Sequence, residues 1–423
     1  MNFENTRAFA KQLDDQDGLR AFRSKFFIPQ HNNKDAVYFT GNSLGLQPKA
    51  TIDHINIELE DWAALGVMGH QHARNPWVSY HEQFSAPIAR IVGAQEHEVV
   101  VMNQLTANIH LLFTSFYRPN KQRYKIICEA KAFPSDQYAM QSQVRLHGYE
   151  PDSAIIELEP RDGEYIIRTE DILSAIQQHG EEIALVFFGG VNYYTGQVFD
   201  MQAITKAAHD VGAIAGFDLA HGAGNIELKL HEWQVDFACW CSYKYLNSGP
   251  GGVAGIYIHE KHATNTELPR LAGWWGSKKQ TRFQMHRQFD PIPTAEGWQL
   301  GNAPVLSMAA HKASLKIFEE AGMERLVEKS KNLTGYLFYI LNEINREQKQ
   351  KVIQPITPED AHGCQVSMFM LEKGREIFDA LINEGVIADW REPNVIRIAP
   401  VPLYNTFEDV WTFGNIIKKI LNS

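Results

Sequence analysis

Ile183-Ala184-Leu185-Val186-Phe187-Phe188 is an unbroken apolar run that stops at Gly189-Gly190. After a helix-periodic stretch at 201–211, a second run, Ala213-Ile214-Ala215-Gly216-Phe217, ends on Asp218. Strands without polar alternation are buried on both faces, as in a parallel sheet covered by crossover helices. The same texture extends outward. It predicts strands at 98–102, 124–128, 154–158, 183–188, 213–217, 237–240 and 253–258, with helices at 106–116, 135–147, 169–179 and 201–211. Ser135, Thr169 and Asp200 stand near helix starts as capping residues. The fold class expected is α/β, with a mainly parallel seven-stranded sheet and ligands beyond the carboxyl ends of its strands.

Upstream, a polar segment with one helical stretch at 6–22 leads to Gly41-Asn42-Ser43-Leu44-Gly45, then Pro48 and a helical run at 50–65. The glycine-rich turn is either a plain loop or a device that brings backbone N–H groups close to a ligand. After Gly301 come a helix at 305–319 and another with Leu326, Leu333, Leu337, Leu341 and Ile344 on one face. Apolar segments at 364–371, 386–389 and 395–399 follow, with a helix at 374–384. This is the pattern of a smaller C-terminal α/β domain, and a cleft between two domains is a usual ligand site.

Composition sets the bounds. The chain has 423 residues, and 40 basic against 50 acidic side chains give a net charge of −10. With 44% hydrophobic and 21% charged residues it reads as an ordinary globular protein, not a nucleic-acid binder relying on global basicity. No apolar stretch has the length of a membrane helix, and the first residues lack the basic and apolar regions of a signal peptide. Four cysteines, Cys128, Cys239, Cys241 and Cys364, form no C-x-x-C, so a reduced, cytoplasmic setting is expected. Cys239 and Cys241 read as core.

Lys244, in Cys241-Ser242-Tyr243-Lys244-Tyr245-Leu246-Asn247, follows the strand at 237–240 and precedes Gly249-Pro250-Gly251-Gly252. It is either a strand-end lysine reaching for water or a partly desolvated amine available for Schiff-base chemistry. Asp218, with His221 close behind, reads alone as a metal ligand, a helix cap or a general base. Together with Lys244 it matches the needs of a pyridinium cofactor, an anion at the ring nitrogen and a lysine for the aldehyde. Thr106, at a helix start after a strand, caps that helix or helps cradle a phosphate. Phe133 staples a helix or stacks on a planar ring. Arg397, in the apolar strand Val395-Ile396-Arg397-Ile398, needs either an internal acid or a substrate carboxylate. His70-x-His72 and His81 lack an H-E-x-x-H frame, so no metal site is expected.

These words, with Phe39-Thr40-Gly41-Asn42-Ser43-Leu44-Gly45, Phe133-Pro134-Ser135-Asp136, Asp218-Leu219-Ala220-His221-Gly222, Gly273-Trp274-Trp275-Gly276 and Arg397-Ile398-Ala399-Pro400, closely resemble the kynureninase family of fold type I pyridoxal-phosphate enzymes from about residue 37 onward. The resemblance implies pyridoxal 5'-phosphate (PLP) as cofactor. It implies hydrolytic C–C cleavage of L-kynurenine to anthranilate and L-alanine, and of 3-hydroxykynurenine likewise, in tryptophan catabolism or NAD biosynthesis. By it, Lys244 holds the cofactor aldehyde and takes the substrate α-proton, Asp218 pairs with the ring nitrogen, and Tyr243 moves a proton during cleavage. Phe133 stacks on the ring, Asp136 and His221 line the cofactor, and Leu105, Thr106 and Tyr243 address the phosphate. Trp274 and Asn302 reach the cofactor from the neighbouring subunit of a homodimer. Arg397 holds the α-carboxylate, and His70 and Asn302 face the aromatic ring. The division implied is 1–70 as an N-terminal arm and helix packing with the small domain, 71–303 as the large PLP-binding domain and 304–423 as the small domain. Lys244 and Tyr243 both reach the cofactor only if the chain turns there, and the glycines at 249–252 are expected to permit it. The partner expected is a small amino-acid substrate, with no nucleic acid and no membrane. A cysteine desulfurase of the same fold would need an exposed cysteine, for which only Cys364 is available. A non-catalytic interaction protein of this fold would be expected to have lost Lys244 or Asp218.

Overall fold

The computed structural model describes residues 3–422; Met1 and Asn2 of the expected N-terminal arm and Ser423 of the expected small domain lie outside the described residues. The central sheet has seven strands: β1 (Val99–Val101), β2 (Lys125–Glu129), β3 (Ile155–Leu158), β4 (Ile183–Gly189), β5 (Ile214–Asp218), β6 (Phe237–Trp240) and β7 (Gly255–Ile258). Their order is β1-β7-β6-β5-β4-β2-β3. The run from β6 to β3 is parallel, and only β7 is antiparallel to both its neighbours. The expected α/β class and mainly parallel sheet are therefore observed.

The unbroken apolar strands have a physical reason. Successive side chains point to opposite faces, and both faces are covered. Ile126, Cys128, Leu185, Phe187, Phe237 and Cys239 pack with Ile109, Leu112, Phe113, Met140 and Val144 of helices α3 (Leu105–Phe116) and α4 (Pro134–Leu146). Their neighbours Ile127, Val186, Phe188, Phe217, Ala238 and Trp240 pack on the other face, with Ile172 and Ile176 of α5 (Thr169–Gln178) and Ile204 and Ala208 of α6 (Met201–Asp210). Each fully buried side chain of this size contributes roughly 1.5–3 kcal/mol.

A second sheet, of four antiparallel strands, joins β8 (Ile353–Pro355), β9 (Val366–Met370), β10 (Asp389–Arg391) and β11 (Val395–Ile398) in the order β8-β9-β11-β10. Its core is shared with α8 (Met323–Glu347), α9 (Gly374–Asn383) and α10 (Phe407–Leu421), while α7 (Val305–Ala321) packs on α2 (Thr51–Leu65). The N-terminal segment joins this lobe. Val37–Tyr38 pairs in parallel with Val386–Ile387. Asp14, on α1 (Arg7–Gln16), accepts the Phe407 and Glu408 N–H groups at 2.7 and 3.0 Å. Those two are unpaired donors at the start of α10, which a carboxylate satisfies.

Some boundaries differ from expectation. The helix expected at 6–22 ends at Gln16 because Asp17 turns the chain, its Oδ1 accepting Leu19 N–H at 2.8 Å; a 3₁₀ turn follows at Arg20–Lys25. Ser135 and Thr169 are not caps. Pro134 and Thr169 are themselves the first helical residues, and a proline at that position costs no hydrogen bond. Asp200 does cap α6, accepting Ala203 N–H at 2.9 Å. Among the described residues no helix is long and apolar enough to cross a membrane.

Candidate active site

The carboxyl ends of β2, β4, β5 and β6 open on one cavity of about 230 Å³. β5 delivers Asp218, whose Oδ1 accepts the Ala220 N–H at 2.7 Å. Burial pushes this carboxyl up, while Lys244 and the Ala220 N–H draw it back down. Asp136, in the first turn of α4, faces it and is pushed well up by burial and then by Asp218. Two carboxyls so close do not both ionise in a dry site, so the pair shares one proton.

Lys244 is buried, with Nζ 3.0 Å from His221 Nε2 and 5.7 Å from the centre of the Phe133 ring. Burial, then Lys244, depress His221 well below the usual imidazole range. A neutral His221 that accepts from Lys244 at Nε2 carries its own proton on Nδ1. The turn that presents Lys244 is closed by the Asn247 N–H donating to the Lys244 carbonyl at 3.0 Å, with Asn247 at φ +51°. Asn247 takes part in the bend because asparagine tolerates the left-handed region, and Gly249 and Gly251, also at positive φ, continue it. The 41–45 loop braces the turn from below. Gly45 N–H donates to the Tyr243 carbonyl at 2.8 Å, and a Cβ on Gly45 would collide with Asn247 Oδ1 and the Lys244 carbonyl. The backbone of that loop does make a close approach, to the lysine turn.

Leu105 and Thr106 begin α3 at the cavity wall, opposite Gly251 and Gly252. The residue before the helix, Gln104, makes no side-chain cap, and the first turn holds no acid. Thr106 is therefore not the cap, and the free N–H groups with the helix dipole suit an anion. Tyr243 lines the same cavity; burial pushes its phenol up. Phe133, 40% exposed, stands edge-on to Tyr193 at 5.3 Å. Leu105, Thr106, Phe133, Asp136, Asp218, His221, Tyr243 and Lys244 are thus brought together. Cys241, expected as core, is buried yet also touches this cavity.

Four expected residues do not line it. Trp274 opens a 3₁₀ turn, 43% exposed, its Nε1–H donating to the Arg282 carbonyl at 3.2 Å. Asn302 is exposed before α7, and half-buried His70 stands edge-on to Trp77 at 5.5 Å. Arg397 is buried behind the cavity wall, where Nη1 donates to the carbonyl of the lining residue Tyr193 and Nη2 pairs with Asp389, its register partner on β10. Of the two partners open to Arg397, the internal acid occupies Nη2 here. His81, set aside as a metal ligand, lies 3.0 Å from Glu296. Against burial, which raises it, His81 and Lys279 hold Glu296 down at about 2, as in an ion-pair cluster.

A match to the kynureninase C-terminal domain family covers residues 326–417. A kynureninase of Flavobacterium psychrophilum is 56% identical over 99% of this chain and 99% of its own length. The chain belongs to the kynureninase family. A mouse kynureninase is 46% identical over 98% of this chain and 93% of its own. Among solved structures, a cysteine desulfurase of Thermococcus onnurineus superposes with a TM-score of 0.73 at 18% identity, covering 92% of this chain and 95% of that one, a likeness of fold. The kynureninase fold is thus the fold type I architecture expected. The desulfurase reading fails on the thiol: Cys364 is fully buried, accepts from Ser330 Oγ at 3.4 Å and is pushed up to about 12 by burial. A reactive thiol needs exposure and a lowered pKa. The non-catalytic reading expects the loss of Lys244 or Asp218, and both are present in one cavity.

The residues present fit PLP. Asp136 Oδ1 and His221 Nδ1 are buried without a hydrogen-bond partner among the described residues. The uncapped start of α3 offers a phosphate seat, and Phe133 offers a ring face beside Lys244. Glu129, the last residue of β2, also lines the cavity, a site residue absent from the sequence reading.

Proposed function

We propose that this protein hydrolyses the bond between Cβ and the side-chain carbonyl carbon of L-kynurenine, yielding anthranilate and L-alanine, with PLP as cofactor. The observation that carries the reading is the convergence of Lys244, Asp218 and the uncapped start of α3 on one cavity, in a chain of this family. When bound, the pyridine ring supplies an electron sink for the substrate Cα. Lys244 would hold the aldehyde, and its free amine would take the substrate α-proton. Asp218 holds the proton on the ring nitrogen. The Leu105 and Thr106 N–H groups receive the phosphate, and Phe133 covers the ring. Tyr243, protonated by virtue of its burial, gives or takes the proton at the side-chain carbonyl as water adds. Purified protein given PLP and L-kynurenine should release anthranilate, followed by its fluorescence; no release with PLP bound overturns the reading.

The finer reading adds a homodimer whose neighbour supplies Trp274 and Asn302. Supporting it, both lie outside their own chain's cavity, and large apolar side chains stand exposed, among them Trp62 at 60%, Val67 at 76% and Phe283 at 54%. A two-fold pair is the common way for two chains to share their sites. Hybrids of Lys244→Ala and Trp274→Ala subunits should then regain part of the activity that each parent lacks. No recovery, with subunit exchange shown by mass spectrometry, would mean each site is contained in one chain. The division at 1–70, 71–303 and 304–423 and a cytoplasmic location belong to this reading. The location is supported by four free, buried cysteines.

Substrate contacts complete it. Arg397 keeps a buried, unpartnered Nε, the donor left for an α-carboxylate. His70 and Asn302 face the aromatic ring, and imidazole and carboxamide can each pair a ring hydroxyl. A site built to pair a hydroxyl penalises its absence. 3-Hydroxykynurenine should therefore be used at least as well as kynurenine in kcat/KM, and His70→Ala or Asn302→Ala should lower that preference by a larger factor than the overall rate. An unchanged substrate ratio in both variants removes the hydroxyl-recognition role.

A further inference from the structure

Three carboxyls line the cavity, Glu129, Asp136 and Asp218, and Lys244 is its only cation among the described residues. Two of the three have roles above; Glu129 has none. It is buried at the end of β2, and both its oxygens face the N–H of Gly189, at 3.0 and 3.2 Å. Gly189 ends β4 directly opposite Asp218 in the parallel register, and the next N–H, of Gly190, donates to the Asp218 carbonyl at 2.8 Å. Even a Cβ on Gly189 would stand only 3.0 Å from Glu129 Oε1, so the carboxyl is fitted against bare backbone. Glu129 therefore ties together the strand ends that set Asp218 in place.

Its surroundings also make a charge problem. Glu129 is faced by Asp218 from β5 and Asp136 from α4, with the neighbouring thiol of Cys128 on its own strand and Lys244 across the cavity. Three negative charges against one positive cannot be sustained in a buried site, and protons must make up the difference. We propose that Glu129 is a positioning residue whose proton balances the charge of the apoprotein's cavity and leaves when PLP brings its ring cation beside Asp218. The cofactor's positive charge then replaces the proton, and the released H⁺ goes to solvent. The inference rests on the cavity being the PLP seat. In line with it, burial pushes the Glu129 carboxyl up to about 7, against the pull of the Gly189 N–H.

The test is proton release on PLP binding to the apoprotein, measured by calorimetry in buffers of different ionisation enthalpy. Glu129→Gln keeps an acceptor for Gly189 N–H but carries no titrating proton. With a carboxyl half protonated near pH 7, the variant should release about half a proton fewer per PLP at that pH. The gap should widen toward pH 6 and close above pH 8. Glu129→Asp, which keeps the carboxyl, should restore the release. A second readout needs no variant: the infrared difference spectrum of the wild type on adding PLP should lose a protonated-carboxyl band. Equal release by wild type and Glu129→Gln, or no loss of that band, overturns the proposal. Failure of the wild type to bind PLP would instead overturn the reading of the cavity itself.

Discussion

Lys244→Ala should lower anthranilate formation by roughly 10²–10⁴-fold or more, the range that a positioned acid–base group supplies. Two contributions vanish together, the covalent hold on the cofactor aldehyde and the amine that takes the α-proton. The rest of the seat remains, because Lys244 reaches it only through Nζ, 3.0 Å from His221 and 5.7 Å from the Phe133 ring centre. Asp218 keeps its Ala220 hydrogen bond, and the start of α3 is untouched. The variant should therefore still take up PLP, now without a covalent link. Borohydride treatment followed by peptide mapping checks this. Wild type should carry the reduced cofactor on the peptide containing Lys244, and the variant should carry none. A label on another lysine, or a variant with near-normal rate, would place the chemistry elsewhere.

The large sheet was legible because its inner strands are sealed on both faces. Ile126, Cys128 and Phe187 look into one core while Ile127, Val186 and Phe188 look into the other, so no polar residue interrupts the run. The small lobe was less so. β10 is an edge strand of Asp389, Trp390 and Arg391, with none of the apolar pattern that marks a buried strand. The segment expected at 386–389 divides into Val386–Ile387, paired with the N-terminal segment, and β10, paired with β11. The first of these pairings joins residues hundreds of positions apart and leaves no local signal.

The site divides along the same line. Asp218 and Lys244 could be found because each ends or follows a core strand, where a charged side chain has no structural excuse. Glu129 carries that same mark as the last residue of β2, and ending the strand one residue early hid it. Asp389, the partner of Arg397, sits eight residues upstream across a turn, and only the antiparallel register brings the two together. His70, Trp274 and Asn302 rest on family resemblance alone. Nothing in the spacing of this chain singles them out, and their own cavity does not include them.

Asp218→Asn is the sharper test of mechanism, because it changes charge and almost nothing else. The asparagine carbonyl can still accept the Ala220 N–H that Asp218 accepts at 2.7 Å, so the strand end should keep its shape. What disappears is the anion that holds the ring nitrogen protonated. Loss of one preorganised electrostatic partner costs about 10²-fold or more in kcat, equivalent to roughly 2.7 kcal/mol of transition-state stabilisation. KM should change far less, since the ring charge matters most as electrons leave Cα. Asp136 is the obvious substitute anion, and its burial works against that. It is pushed up by burial and by Asp218, and with Asp218 neutralised the burial remains. Asp136→Asn should accordingly lose less than Asp218→Asn. Asp218→Asn within about twofold of wild type would mean that Asp218 does not meet the ring nitrogen. The reverse order of the two losses would assign that contact to Asp136.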